Sequence, residues 1–193
     1  MLKSENLILA STSPYRRQLL ARLGIEFAVA APQVDETIGD DERPQEAVLR
    51  LAAAKAHAVT ADHPGAVIIG GDQIALLGDE ILGKPHTREA AIAQLTRASG
   101  NHLVFLTGLA VTDGDRTEYA LEPVHVHFRR LDSTTIARYV DADTPFDCAG
   151  ALRSEGLGST LLEAIESRDP TALIGLPLIA VSRLLRQFGI PLP

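Results

Sequence analysis

Three features of the sequence predict a mixed α/β fold. Short apolar runs at 7–10, 27–31 and 66–70 alternate with helix-periodic stretches at 16–23 and after Pro44, the pattern of strands joined by helices. Two long strand-like stretches, about 102–112 and 117–129, are separated by Asp113-Gly114-Asp115, which suits a hairpin. No internal repeat or low-complexity linker interrupts this order.

Composition sets the outer limits. With 193 residues and 46% hydrophobic content the chain can bury a sizeable core, and a single domain over 1–193, with two lobes at most, is expected. Aromatic residues are only 4%, so the core must rest on Leu, Ile, Val and Ala. A net charge of -7 argues against general binding to nucleic acid or to an anionic membrane, so an anionic substrate must be met by a local cluster. The single cysteine, Cys148, excludes an intramolecular disulfide and fits a reducing cytosol. Lys3, Glu5 and Asn6 open the chain without a long apolar stretch, and the apolar run 172–181 is too short for a bilayer span. A soluble, cytoplasmic protein is the expectation.

The first loop carries the strongest local signal. In Ser11-Thr12-Ser13-Pro14-Tyr15-Arg16-Arg17, Ser13 suits an N-cap and Pro14 the first helical position, leaving the N–H groups of Tyr15 and Arg16 in the turn. Hydroxyls, amides, the helix dipole and two arginines suit a phosphate chain. A polar loop follows the strand at 27–31, with Asp35-Glu36 and a solvated acidic group Asp40-Asp41-Glu42. Pro44 opens a long helix with Val48, Leu51, Ala52 and Ala58 on its buried face and Lys55 close to that stripe.

The strand at 66–70 is expected to end in Gly71-Asp72-Gln73, with a second apolar segment at 74–77. Gly78-Asp79 reads as a hairpin turn and Gly83-Lys84-Pro85 as the close of the returning strand. Thr87 begins a helix to about Ala98, ended by Ser99-Gly100-Asn101. His125 and His127 alternate on what reads as a half-solvated strand face rather than a metal site. Asp132 or Ser133 caps a helix to about Val140. A loop over 143–150 and a final helix over 177–188 complete the chain.

Taken together, Glu36 and Asp72 are hard-oxygen ligands of the kind Mg2+ accepts when a phosphate completes the shell. Lys55, Lys84, Arg16 and the Ser11-to-Ser13 turn supply donors for phosphate oxygens. This is the logic of phosphoryl chemistry. The phosphate loop Gly-x-x-x-x-Gly-Lys-Ser/Thr, the dinucleotide fingerprint, the nucleophile elbow and His-Glu-x-x-His are all absent from the sequence.

Several stretches in one order resemble the Maf family of nucleoside triphosphate pyrophosphatases: Leu-Ala-Ser-Thr-Ser-Pro-Tyr-Arg-Arg at 9–17, Val-Asp-Glu at 34–36, Lys55, Gly-Gly-Asp-Gln at 70–73, Gly-Lys-Pro at 83–85 and Thr107-Gly108. Cys148-Ala149-Gly150, Ser154-Glu155-Gly156, Arg168-Asp169-Pro170 and Gly175-Leu176-Pro177-Leu178 extend the resemblance over nearly the whole chain. It implies a mixed twisted sheet with helices on both sides, two lobes around a central cleft as in Maf and Ham1 proteins, and hydrolysis of a nucleoside triphosphate to the monophosphate and pyrophosphate.

The resemblance also implies roles. Asp72 would be the general base and Glu36 a ligand of a divalent metal cation, Mg2+ or Mn2+, with Asp72 sharing it; which carboxylate takes the proton stays open. Lys55 and Lys84 would act on the phosphates, while Ser11, Ser13, Tyr15, Arg16, Gln73 and Glu155 bind substrate and Arg17 lies on the helix exterior. Members acting on dTTP and UTP carry Arg, Thr and Gln where this chain has Tyr15, Gln73 and Glu155. An aromatic, Gln and Glu resemble instead the subgroup acting on 7-methyl-GTP, which often has Trp at the position of Tyr15. Glu155 could accept from guanine N1–H and N2, and a cationic base over Tyr15 gains roughly 0.5 to 2 kcal/mol. The expected partner is a nucleoside triphosphate, without nucleic acid or membrane; a homodimer stays open. The alternatives are a dTTP/UTP pyrophosphatase and a non-catalytic nucleotide-binding regulator of cell division.

Overall fold

The computed structural model describes residues 6–39 and 41–193. Lys3 and Glu5 of the opening stretch, and Asp40 of the acidic loop, lie outside the described residues. The fold is mixed α/β. In chain order the principal elements are β1 (Leu7–Ala10), α1 (Pro14–Ala21), β2 (Ala28–Ala30), α2 (Pro44–His57), β3 (Val67–Leu77), β4 (Glu80–Leu82), α3 (Arg88–Ala98), β5 (His102–Thr112), β6 (Thr117–Phe128), α4 (Ser133–Asp143), β7 (Leu162–Glu166) and α5 (Leu178–Gln187). The seven strands form one sheet in the order β2-β1-β3-β5-β6-β7, with β4 paired to β3.

The chain divides into two compact units. The first comprises Met1–Asp72, Thr107–Glu122 and Asp169–Pro193, the second Gln73–Leu106 and Pro123–Arg168.

In the first unit β1 is central and parallel to both neighbours, with Ile8 beside Ala28 and Ala10 beside Gly70. Successive side chains of a strand point to opposite faces, and β1 uses both. Leu7 and Leu9 join Leu19 and Leu20 of α1 and Val181 and Leu184 of α5 in one core. Ile8 and Ala10 join Ile68 and Ala56 in a second core under α2. Helices therefore cover both faces of the sheet, which is why β1 reads as an uninterrupted apolar run. The α5 start is tied down by Asp169, which is buried and accepts from the N–H of Thr171 (2.9 Å) and of Ile179 (2.6 Å).

In the second unit α3 packs against α4. Thr87 caps α3 through the Ala90 amide, and Asp132 rather than Ser133 caps α4 through the Thr135 amide. The α4 helix runs past Val140 to Asp143, whose carboxylate accepts from the Leu157 N–H at 2.9 Å and so has a partner at the helix end. Strand β7, absent from the sequence reading, pairs antiparallel with β6. His127 meets Glu166 of that strand at 2.9 Å and His125 is exposed, consistent with a half-solvated face.

Two expectations are corrected. Ala58 lies beyond the end of α2 and is exposed, while Ala56 takes the buried position. The β3 strand does not turn at Gly71-Asp72-Gln73 but runs through them to Leu77. A carboxylate can sit inside a buried strand here because a lysine ammonium meets it. No helix among the described residues is long and apolar enough to cross a membrane.

Candidate active site

The loop after β1 is built as its residue types require. The Ser11 N–H donates to the carbonyl oxygens of Leu9 and Ala30, both at 3.0 Å, which closes the end of β1 against β2. Ser11 Oγ accepts from the Ser13 amide at 3.1 Å, and Ser13 Oγ accepts from the Arg16 amide at 3.4 Å. The Arg16 amide is thus taken up by the cap rather than left in the turn. Pro14 stands at the first helical position, where its missing N–H costs nothing.

The two arginines of the loop part company. Arg17 is exposed, whereas Arg16 is half-buried and donates from Nε to the Gly175 carbonyl at 2.9 Å. Gly175 has φ 122°, a conformation that glycine adopts freely. Burial pulls the Arg16 pKa below its ordinary value, and the charges of Asp72 and Glu36 push back. The guanidinium is therefore within electrostatic reach of both carboxylates.

Those carboxylates meet at Lys55. Its Nζ lies 2.7 Å from Asp72 Oδ1 and 2.9 Å from Glu36 Oε2. Lys55 and Asp72 are only 6% and 7% exposed, so the pair is largely out of water; the Glu36 side chain is 60% exposed. An isolated charge would be costly at such depth, and each of the buried pair offsets the other. Asp72 Oδ2 has no hydrogen-bond partner among the described residues.

Two glycines allow this meeting. A β-carbon at Gly70 would stand 2.7 Å from the Ala56 nitrogen, and one at Gly108 would stand 2.6 Å from the Val48 carbonyl oxygen. The backbone of α2 therefore rests directly on β3 and β5, and Lys55, next to Ala56, is carried down to the level of Asp72. Nothing in the spacing of either glycine announces this; only the packed helix does.

The groups share a topological origin. Ser11 and Ser13 follow β1, Glu36 follows β2, and Asp72 comes two residues after Gly70, where β3 leaves its register with β1. In open α/β sheets ligands bind beyond the carboxyl ends of parallel strands. The loop bearing Glu36 is also tied internally: Asp35 Oδ1 accepts from the Thr37 hydroxyl (2.6 Å) and amide (2.9 Å), bonds that hold the Asp35 carboxyl below the usual carboxylate range.

Tyr15 is half-buried at the start of α1. Gln73, Lys84 and Glu155 belong to the second unit. Gln73 is half-buried on β3, and Lys84 is exposed just after Gly83, whose carbonyl accepts from Gln94 Nε2 at 3.0 Å. Glu155 Oε1 is 4.0 Å from Arg153 Nε, and Ser154 Oγ donates to Glu155 Oε2 at 3.4 Å. The Arg153 amide donates to the Tyr139 hydroxyl (2.9 Å), which donates in turn to the Ala151 carbonyl (3.1 Å). Burial raises the Tyr139 pKa, so the phenol stays a donor.

The donor set also bears on a metal. No group of three or more His, Cys, Asp or Glu able to hold an ion occurs among the described residues. Glu36 and Asp72 fit a hard cation that takes the rest of its shell from phosphate oxygens and water, as Mg2+ does when it keeps only one or two carboxylates.

A family model for Maf-like proteins matches residues 6–188. The chain belongs to the Maf family. Two relatives match over nearly the whole chain. The 7-methyl-GTP pyrophosphatase of Alcanivorax borkumensis is 47% identical over 99% of this chain and 98% of its own. That of Pseudomonas aeruginosa is 48% identical over 97% of this chain and 99% of its own. Among solved structures, the Staphylococcus aureus Ham1 protein aligns with a TM-score of 0.46 at 17% identity, over 63% of this chain and 71% of that one.

Proposed function

We propose that this protein is a nucleotide pyrophosphatase that hydrolyses 7-methyl-GTP at the α–β phosphoanhydride, giving 7-methyl-GMP and pyrophosphate. The near full-length identity of about 48% to proteins named 7-methyl-GTP pyrophosphatase carries this reading, and the buried Lys55–Asp72 pair with Glu36 beside it supports the chemistry.

In the proposed reaction Asp72 is the base. Its Oδ1 is oriented by Lys55, and Oδ2 takes the proton of the water that attacks the α-phosphorus. The bond from the α-phosphorus to the bridging oxygen breaks, and pyrophosphate leaves with that oxygen. Lys55, Lys84 and Arg16 bring positive charge to the phosphate oxygens. Glu36 and Asp72 would hold a divalent cation, Mg2+ or Mn2+, which when bound screens the triphosphate and polarises phosphorus.

For the base, Glu155 accepts from guanine N1–H and N2, and Gln73 lines the same specificity set. The cationic ring of 7-methylguanine stacks on Tyr15, a pairing that favours the methylated base. Ser11 and Ser13 contribute hydroxyls beside the phosphate chain. A nucleotide substrate and a lone cysteine suit a cytoplasmic setting.

The test is product analysis by chromatography after incubation with Mg2+ and 7-methyl-GTP, GTP, UTP or dTTP in parallel. Release of 7-methyl-GMP and pyrophosphate ahead of the other products is expected. Preference for UTP or dTTP would overturn the roles of Tyr15, Gln73 and Glu155, and stoichiometric binding without any cleavage would make the protein a nucleotide sensor.

A further inference from the structure

We propose that Arg50 is a positioning residue that sets Glu36 against the Lys55–Asp72 pair; the inference rests on the role given to Glu36 above. Arg50 lies on α2, the helix that carries Lys55. Its guanidinium grips the Glu42 carboxylate with both ends of the fork, Nε to Oε1 at 2.6 Å and Nη2 to Oε2 at 2.7 Å, and Nη2 also donates to the Thr37 carbonyl at 3.0 Å. Glu42 Oε2 accepts in addition from the Gly39 amide at 3.3 Å.

One side chain therefore holds the Glu36 loop on the far side of that residue, at Thr37 and at Glu42, while Asp35 and Thr37 close the turn around it. Glu36 needs such support. Its side chain is 60% exposed and meets Lys55 Nζ. A solvated carboxylate on an untethered loop would spend little time at a single ammonium, whereas a loop fixed to α2 at Arg50 moves with Lys55.

The chemistry of the anchor is specific. A planar fork can satisfy a carboxylate and a carbonyl together, and a lysine ammonium cannot reproduce that arrangement. The Arg50 side chain is 44% exposed, and exposed ion pairs add little to global stability. The contribution falls instead on the local order of Glu36.

The test compares Arg50→Met, Arg50→Lys, Glu36→Gln and the double variant Arg50→Met/Glu36→Gln. Mn2+ alone is titrated into each protein and free Mn2+ is read by electron paramagnetic resonance, with kcat and KM for 7-methyl-GTP measured alongside. Arg50→Met is expected to weaken Mn2+ binding by ~3- to 10-fold and to lower kcat with little change in KM, Arg50→Lys to recover only part of the loss, and melting to be nearly unchanged. In the double variant Arg50→Met should add nothing to the loss caused by Glu36→Gln, since it acts through that carboxylate. Additive losses, or unchanged Mn2+ affinity in Arg50→Met where Glu36→Gln weakens it, would overturn the positioning role. Unchanged affinity and turnover in Glu36→Gln would remove the Glu36 reading itself and this inference with it.

Discussion

A β-carbon at Gly70 would stand 2.7 Å from the backbone nitrogen of Ala56, a separation that no side chain rotation can relieve. The contact is backbone to backbone, so relief requires α2 to move away from β3. Such a shift would carry Lys55 off Asp72, because Lys55 precedes Ala56 on the same helix. Gly70→Ala is therefore expected to cost about 3 kcal/mol, near the upper end for overpacking, and to lower turnover. The neighbouring position is the control: a β-carbon at Gly71 would meet Arg16 Nε and the Gly108 carbonyl at 3.5 Å, ordinary contact distance. Urea denaturation should separate the two, with Gly71→Ala close to the parent.

Arg16 and Arg17 are adjacent in sequence and opposite in environment. Arg16 is half-buried, bonded to Gly175 and within reach of the Asp72 and Glu36 charges, while Arg17 is exposed. Arg16→Ala should lower kcat/KM for the triphosphate by ~10- to 100-fold, whereas Arg17→Ala should leave it within about twofold. Steady-state kinetics on both variants checks this, and equal losses would assign the phosphate contact to neither arginine alone.

Tyr139 supports the segment bearing Glu155. Its hydroxyl both accepts from the Arg153 amide and donates to the Ala151 carbonyl. Tyr139→Phe keeps the ring and removes both hydrogen bonds, at an expected cost of about 1–3 kcal/mol. The shift of the urea midpoint at unchanged slope is the measurement.

Much of this architecture was legible in local sequence. The 7–10 run, the Ser13-Pro14 cap, the Pro44 helix start and the Thr87 and Asp132 caps depend on neighbours a few residues away, so their residue types declare them. What was not legible depends on distant partners. Gly-Gly-Asp-Gln reads as a strand end, yet β3 passes through it because α2 fills the space over Gly70 and Lys55 neutralises Asp72. The Leu162–Glu166 strand is mostly exposed, so it carries little apolar pattern and owes its form to pairing with β6.

The candidate site divides the same way. Glu36, Lys55 and Asp72 were each visible as chemically suited residues, but no spacing along the chain states that one ammonium bridges both carboxylates; the family resemblance suggested their convergence and the packing of α2 explains it. Arg50 carries no such signal, because an arginine on a solvated helix face has no distinguishing pattern. Its signal lies in the carboxylate and carbonyl it holds across a loop.

The proposed chemistry turns on the Asp72 carboxylate, held by Lys55, as the base that activates water. Asp72→Asn preserves shape, a polar partner for Lys55 and the remaining Glu36 contact while removing the basic oxygen. Single-turnover hydrolysis of 7-methyl-GTP by this variant, followed alongside equilibrium binding of the same nucleotide, tests the claim directly. A loss of chemical rate of about 100-fold or more with binding largely retained is expected. Near-normal turnover by Asp72→Asn would contradict it.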